Sequence, residues 1–220
     1  MSKIALIHTT SVTVDSLKKL IKKQKSEIEI INIVDDSILP QLISNNADIT
    51  QVEDRVKYYI ETAVKQGADL VLSACSSIGE IFEQENKKYK IPIMRIDSAM
   101  AEKAVDTAGT IGVAATLETT LKPSTELIKK IAADINKDIE IKTVLADSAY
   151  QKLMEGNEKQ HDRLLADKLK QLAAEVEIVV LAQASMARAV SVLPVEMRDK
   201  FLTSPESGIK KAINLSLIHI

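Results

Sequence analysis

The sequence predicts an α/β protein built twice: two pseudo-symmetric parallel-sheet domains, Rossmann-like with flavodoxin-type strand order, each carrying helices on both faces. Three observations predict it. Short β-branched runs alternate with segments of helical period, the pattern of βαβ units and parallel sheets. The pattern restarts near residue 110, so that Ile4 is matched by Ile111 at an offset of 107 residues and Cys75 by Gln183 at an offset of 108. In each half an apolar strand ends in a turn of small residues, Cys75-Ser76-Ser77 and Gln183-Ala184-Ser185. Duplication of one βαβαβ unit accounts for all three. The expected domains are 1–98 with 205–220, and 99–204. Ligands of open α/β sheets bind outside the carboxyl ends of the strands, so the active site is expected in the interdomain cleft, where the halves face each other.

Taken in order, Ile4 to Ile7 form an apolar run ending at His8-Thr9-Thr10, and Leu17, Leu20 and Ile21 follow at helical spacing behind Asp15. Ile28 to Val34 is a second β-branched run, closed by Asp35-Asp36. The segment from Pro40 to Asp48 shows little periodicity and reads as a surface loop, a candidate lid. From Gln51 to Gln66 the residues Val52, Val56, Tyr59, Ile60, Ala63 and Val64 mark one helix face, and Gly67 ends the helix. Leu70, Val71 and Leu72 are the central strand before Cys75. Ile91 to Ile96 reads as a fourth strand, with Pro92 near its start, and Asp97 or Ser98 is placed to cap the helix through Ala101 and Val105.

In the second half Thr110 to Ala115 repeats Lys3 to His8, and Asp138 to Ile141 repeats Glu27 to Ile30. Leu121, Ile128, Ile131 and Ile135 define the helix between them, with Pro123 expected in its first turn. Val176 to Leu181 repeats the strand before the small-residue turn.

Composition narrows the function. With 45% hydrophobic residues in 220 the chain buries a real core, and a formal charge of −2 with interspersed acids and bases offers no basic stripe for nucleic acid. No run of about 18 apolar residues is present, and Met1-Ser2-Lys3 leads straight into an apolar run, so neither a membrane span nor a signal peptide is expected and the cytoplasm is. One cysteine excludes an internal disulfide, and three scattered histidines without HxxxH or CxxC spacing argue against a metal site. Small-molecule chemistry is the remaining class.

The lone cysteine is placed for it. Cys75 stands where a strand gives way to a helix opened by Ser76, Ser77 and Gly79, beside backbone N–H groups without partners and the positive end of a helix dipole. That setting favours thiolate and binds anions, so Cys75 is a candidate nucleophile or base over a carboxylate-binding turn. The competing reading is a buried structural thiol.

With SACSSIG around Cys75, IPIMRIDSAMAEKAV from Ile91, GTIGVAATLETT from Gly109, VVLAQASMARA from Val179 and FLTSP from Phe201, the sequence resembles the cofactor-independent aspartate/glutamate racemase superfamily over nearly its whole length. The resemblance implies two α/β domains with pseudo-two-fold symmetry, a homodimer, a small carboxylate substrate, and a cysteine from each half flanking the substrate's α-carbon. Cys75 matches the first cysteine. Gln183 stands where the second belongs, and an amide has no useful pKa for relaying a proton. Three readings follow: racemisation or epimerisation with another group as second acid/base, a one-thiol decarboxylase or isomerase, and a non-catalytic binder.

The other candidates each carry two readings. Ser76 and Ser77 offer hydroxyls and N–H groups to a carboxylate, or cap the helix. Ala184 and Ser185 form the counterpart turn, and Gln183 either orients substrate or fills the place of the lost thiol. Thr9, Thr10 and Thr116 end the first strand of each half as substrate contacts or as ordinary strand-end threonines. His8 ends the first strand either as acceptor of the Cys75 proton or second base, in the latter role ahead of His161, which shares the apolar face of Leu164 and Leu165, or as a hydrogen-bonded structural histidine. Arg95 and Asp97, two residues apart on a strand, read as a structural ion pair. The tail Leu215 to Ile220, with His219, shows no pattern and receives no role.

Overall fold

The structure, a computed structural model, describes residues 2–218, so His219 lies outside the described residues. The chain divides into two compact units, 1–96 with 205–220 and 97–204.

The first unit is built from β1 (Lys3–His8), α1 (Val14–Gln24), β2 (Glu29–Val34), α2 (Ile38–Ser44), α3 (Thr50–Lys65), β3 (Leu70–Ser73), α4 (Gly79–Glu85) and β4 (Ile93–Arg95). Its four strands are parallel in the order β2-β1-β3-β4, the expected flavodoxin-type order. Alternation along each strand feeds two apolar layers. Ala5, Ile7, Val71 and Ile93 face Leu42, Val56, Ile60 and Phe82 of α2 to α4. Ile4, Leu6, Leu70, Leu72 and Met94 face Leu17 and Ile21 of α1 together with Ile209, Ala212 and Ile213 near the end of the chain. Both faces of the central strands are thereby buried, as parallel sheets require.

The second unit repeats the plan with α5 (Ser98–Thr107), β5 (Thr110–Ala115), α6 (Glu118–Asp134), β6 (Glu140–Leu145), α7 (Asp147–Met154), α8 (Glu158–Ala173), β7 (Ile178–Leu181), α9 (Ala187–Val190) and β8 (Phe201–Thr203). The order is β6-β5-β7-β8, again all parallel. Ile111, Val113, Ala115 and Val180 pack against α5 and α6, whereas Ala114, Val179 and Leu181 pack against α7 to α9. The last helix, α10 (Ser204–Ile218), returns to the first unit from Pro205 onward and covers the sheet face that α5 covers in the second.

Helix ends follow local chemistry. At the end of α3, Gly67 takes φ +77°, its N–H donates to the Val64 carbonyl (2.9 Å) and the Ala68 N–H to that of Ala63 (3.2 Å), the paired closure that a left-handed glycine permits. Asn136, with φ +53°, closes α6 in the same way.

Three expectations are corrected. The segment from Pro40 to Asp48 is no loop at its start: α2 covers Ile38–Ser44, burying Ile38 and Leu42 four residues apart. Pro40 is tolerated there because it is the third helical residue, whose N–H has no partner within a helix. Pro123 lies not in the first turn of α6 but at its sixth residue, because the helix starts at Glu118. Asp97 does not cap α5 through its side chain: it is the cap residue but makes no side-chain cap bond, and its carboxylate accepts from the Ser124 hydroxyl at 3.4 Å. The described part of the tail continues α10, whose buried stripe of Ile209, Ala212 and Ile213 reaches as far as Ser216, while Leu217 and Ile218 are exposed.

Candidate active site

In the first unit β1 and β3 are central neighbours whose outgoing connections leave toward opposite edges of the sheet, to β2 and to β4. Their carboxyl ends therefore frame the crevice in which open α/β sheets bind ligands. Ile7 is in register with Ser73, and the Ala74 N–H donates to the Ile7 carbonyl at 2.9 Å, which brings His8 and Thr9 beside Cys75 to Ser77.

Cys75 sits in extended backbone (φ −136°, ψ 131°) and caps a short 3-10 turn, Ser76–Ile78, that runs directly into α4. The Ser73 hydroxyl donates to the Cys75 carbonyl (2.6 Å), and the Cys75 N–H donates to the Ser73 oxygen (3.3 Å), fixing the approach to the turn. The thiol is free and half-buried, packed against the apolar layer that holds Ile78 and Phe82. Thr9, Ser76 and Ser77 are buried, and the hydroxyls of Thr9 and Ser77 have no hydrogen-bond partner. An unpaired buried hydroxyl costs about 1–3 kcal/mol. Thr10 caps the turn that follows β1, its hydroxyl accepting from the Val12 N–H at 3.4 Å.

His8 is fully buried with both ring nitrogens engaged: Nε2 lies 3.0 Å from Asn32 Oδ1 and Nδ1 2.9 Å from Thr13 Oγ1. With Asn32 presenting its carbonyl oxygen, Nε2 carries the proton and Nδ1 accepts from the threonine. Burial pushes the His8 pKa below the usual histidine value, against the opposing pull of the Asn32 hydrogen bond. Arg95, also buried, has Nη1 3.9 Å from Glu83. Its side chain lies across Gly79, where an added Cβ would stand 2.6 Å from the guanidinium carbon. The glycine after SSI is thus required by a buried cation against the start of α4, a requirement with no signature in a single sequence.

In the second unit the same turn recurs with different chemistry. Gln183 (φ −130°, ψ 136°) caps the 3-10 turn Ala184–Met186 before α9. Its side chain folds toward the end of β5, where Oε1 accepts from both the Thr116 N–H (2.6 Å) and the Thr116 hydroxyl (2.8 Å). Thr116 is buried, Gln183 and Ala184 are half-buried, and Ser185 is exposed, unlike its buried counterpart Ser77.

A model of the Asp/Glu/Hydantoin racemase family matches residues 4–212. The chain belongs to this family. Its fold is shared by a glutamate racemase isoform from Bacillus anthracis (TM-score 0.71, 16% identity, 99% of this chain and 81% of that one). It is shared too by an aspartate racemase homologue from Pyrococcus horikoshii (0.67, 16%, 99% and 100%). A Gly74Cys mutant of arylmalonate decarboxylase is likewise similar (0.60, 12%, 97% and 93%). No curated protein matches the chain in sequence.

Within this racemase-family chain the remaining histidine candidate is His161, near the start of α8. It is fully buried, as its shared face with Leu165 implied. Its Nδ1 lies 2.7 Å from Asp162, which Arg188 of α9 holds through Nε (2.8 Å) and Nη2 (3.1 Å), while Arg188 Nη1 reaches Glu158 at 2.9 Å. Burial raises the Asp162 pKa, but the Arg188 and His161 contacts outweigh it and hold the carboxyl below its ordinary range. The cluster ties the start of α8 to the helix that follows the Gln183 turn and leaves His161 Nε2 buried without a partner. Among the described residues no group of three or more His, Cys, Asp or Glu side chains is placed to hold a metal ion, and no helix is long and apolar enough to cross a membrane.

Proposed function

We propose that this racemase-family isomerase acts without a cofactor at the α-carbon of a small amino acid or related carboxylate, with Cys75 as its thiol acid/base. The observation that supports the reading is the half-buried Cys75 at the carboxyl end of β3, with two buried, unpartnered hydroxyls, those of Thr9 and Ser77, at the ends of the same two adjacent central strands. A thiolate there removes the α-proton, leaving the electron pair delocalised into the carboxylate as an enediolate. Thr9, Ser77 and the N–H groups of the turn donate to the oxygens on which that charge grows, and in many enzymes such pre-placed donors lower the barrier more than any other single effect. Return of a proton to the opposite face completes racemisation. The resemblance adds a homodimer and a cytoplasmic setting to this proposal.

The second acid/base is the open position. Both nitrogens of His8 are engaged, so it accepts a proton only by surrendering the hydrogen bond from Thr13; we assign it to that role only through this exchange. His161 is the other histidine candidate, its buried Nε2 having no hydrogen-bond partner. A second reading, a one-thiol decarboxylase or isomerase of a small dicarboxylate, is favoured by one observation: Gln183 carries an amide where a second thiol would stand, and an enediolate left by loss of carbon dioxide needs a proton on one face only.

Deuterium exchange separates the readings. In heavy water with a panel of amino acids, hydantoins and substituted malonates, the racemase reading expects deuterium at the α-carbon with loss of optical purity. Loss of carbon dioxide with one-sided deuteration selects the decarboxylase. No exchange with any substrate of the panel, alongside retained ligand binding, removes the enzymatic reading.

A further inference from the structure

Thr9 and Thr116 hold the same place in the two sheets, at the end of the first central strand and 107 residues apart, and both are buried. They differ in one respect. The Thr9 hydroxyl has no partner, whereas the Thr116 hydroxyl and N–H converge on a single oxygen, Oε1 of Gln183. A backbone N–H can only donate, so the atom 2.6 Å from it is the amide carbonyl and not the NH2 group.

Two donors closing on one acceptor oxygen is the arrangement that binds one oxygen of a carboxylate or carboxamide, and a charged oxygen is held about twice as strongly as a neutral one. The occupant here is built into the chain. Beyond Cβ the Gln183 side chain has the atoms of acetamide, and acetate has the same shape with a negative charge. Gln183 is half-buried and reaches solvent in part, so truncating it is expected to open the donor pair to small solutes.

We infer that the Thr116 N–H and hydroxyl form a latent carboxylate site in the second unit, closed from within by the Gln183 carbonyl. The wild-type protein then takes a carboxylate at the Cys75 turn and not at Thr116, which fits a substrate with one carboxylate to be held. That last step rests on the proposed carboxylate chemistry at Cys75; the closure of the Thr116 site does not.

The test uses the full-length chain labelled uniformly with ¹⁵N and reads the backbone amide of residue 116. In Gln183→Ala, titration with acetate is expected to shift the Thr116 amide resonance to saturation. Acetamide produces the same shift with weaker affinity, and sodium chloride at matched ionic strength produces none. In wild type the Thr116 amide does not respond. Adding Thr116→Val to Gln183→Ala removes the hydroxyl while keeping the N–H, and weakens acetate roughly tenfold. A folded Gln183→Ala whose Thr116 amide ignores acetate overturns the inference, as does a wild-type protein that responds as strongly as the variant. Should Gln183→Ala fail to fold, Gln183→Ser carries the same expectations. The readout is independent of turnover, so absence of deuterium exchange in the wild type sinks the proposed reaction without touching this result, and a silent Thr116 sinks this inference without touching the reaction.

Discussion

Cys75 and Gln183 occupy one backbone position in two units: φ −136°, ψ 131° for the cysteine and φ −130°, ψ 136° for the glutamine, each leading into a three-residue 3-10 turn. The duplication has kept the backbone and changed the chemistry. In one turn a thiol is left free beside unpaired hydroxyls; in the other an amide satisfies the neighbouring threonine.

Removing the thiol tests the first turn. Cys75→Ser keeps a small polar side chain and leaves the Ser73 bonds to the backbone in place. It is expected to fold with an unchanged circular dichroism spectrum while α-proton exchange falls by at least about 10² to 10⁴, the usual contribution of a positioned acid or base. Alkylation of the wild-type thiol is expected to do the same. Full turnover by fully alkylated protein would clear Cys75 of any role.

His8 makes stability depend on pH. In the unfolded chain it binds a proton below about pH 6.5, while burial holds the folded pKa lower. Between the two values the unfolded chain binds more protons, so stability rises with pH through that window and is lost as pH drops below about 6.5. The urea midpoint is expected to fall on going from neutral pH toward the folded pKa. His8→Asn is expected to be less stable at neutral pH, having lost ring contacts to Thr13 or Asn32, and to show a flatter decline. Equal slopes in the two proteins would place the titrating group elsewhere.

The two sheets, their strand order and the Cys75 turn are legible in the sequence because each rests on local signals: β-branched runs, helical spacing, and small residues at a strand end. What stays hidden depends on partners distant in sequence. Nothing near Gln183 announces that its carbonyl reaches Thr116, 67 residues away. Gly79 is explained only by the Arg95 side chain lying across it, and the stripe along α10 only by the Ile4, Leu6 and Met94 face it covers. The short helix α2 is hidden for a different reason, because Pro40 reads as a breaker unless it falls in a first turn.

Gly208 tests how tightly α10 closes the first unit. Alanine is favoured over glycine inside a helix by about 1 kcal/mol. A Cβ at this position, however, would meet the backbone carbonyl of Ile96 and stand 2.8 Å from Ile96 Cγ1. A carbonyl at the end of β4 cannot swing aside as a side chain does, and overpacking of this kind costs about 1–3 kcal/mol. Gly208→Ala is therefore expected to be neutral to destabilised by about 2 kcal/mol by urea denaturation. A variant stabilised by the full helix-propensity gain would show that α10 has room to move.

The sharpest test of the duplicated turn is Gln183→Cys. Because the backbone at 183 already matches that at Cys75, the substitution asks for no change of main chain, and the shorter side chain gives up the two bonds to Thr116. If the reaction is limited by the lack of a second thiol, the variant is expected to gain or raise racemisation of the substrate that wild type exchanges, with deuterium now entering from both faces. A one-thiol decarboxylase is expected instead to keep releasing carbon dioxide and to begin racemising its product. If wild type already racemises, its second proton carrier is another group. His8→Asn and His161→Asn then discriminate, since the one that matters is expected to lower racemisation by about 10² or more while leaving binding nearly unchanged. Racemisation untouched by either histidine substitution, and not raised by Gln183→Cys, would exclude both histidines and a missing thiol as the limiting element and assign the second proton to water or to a group of the substrate.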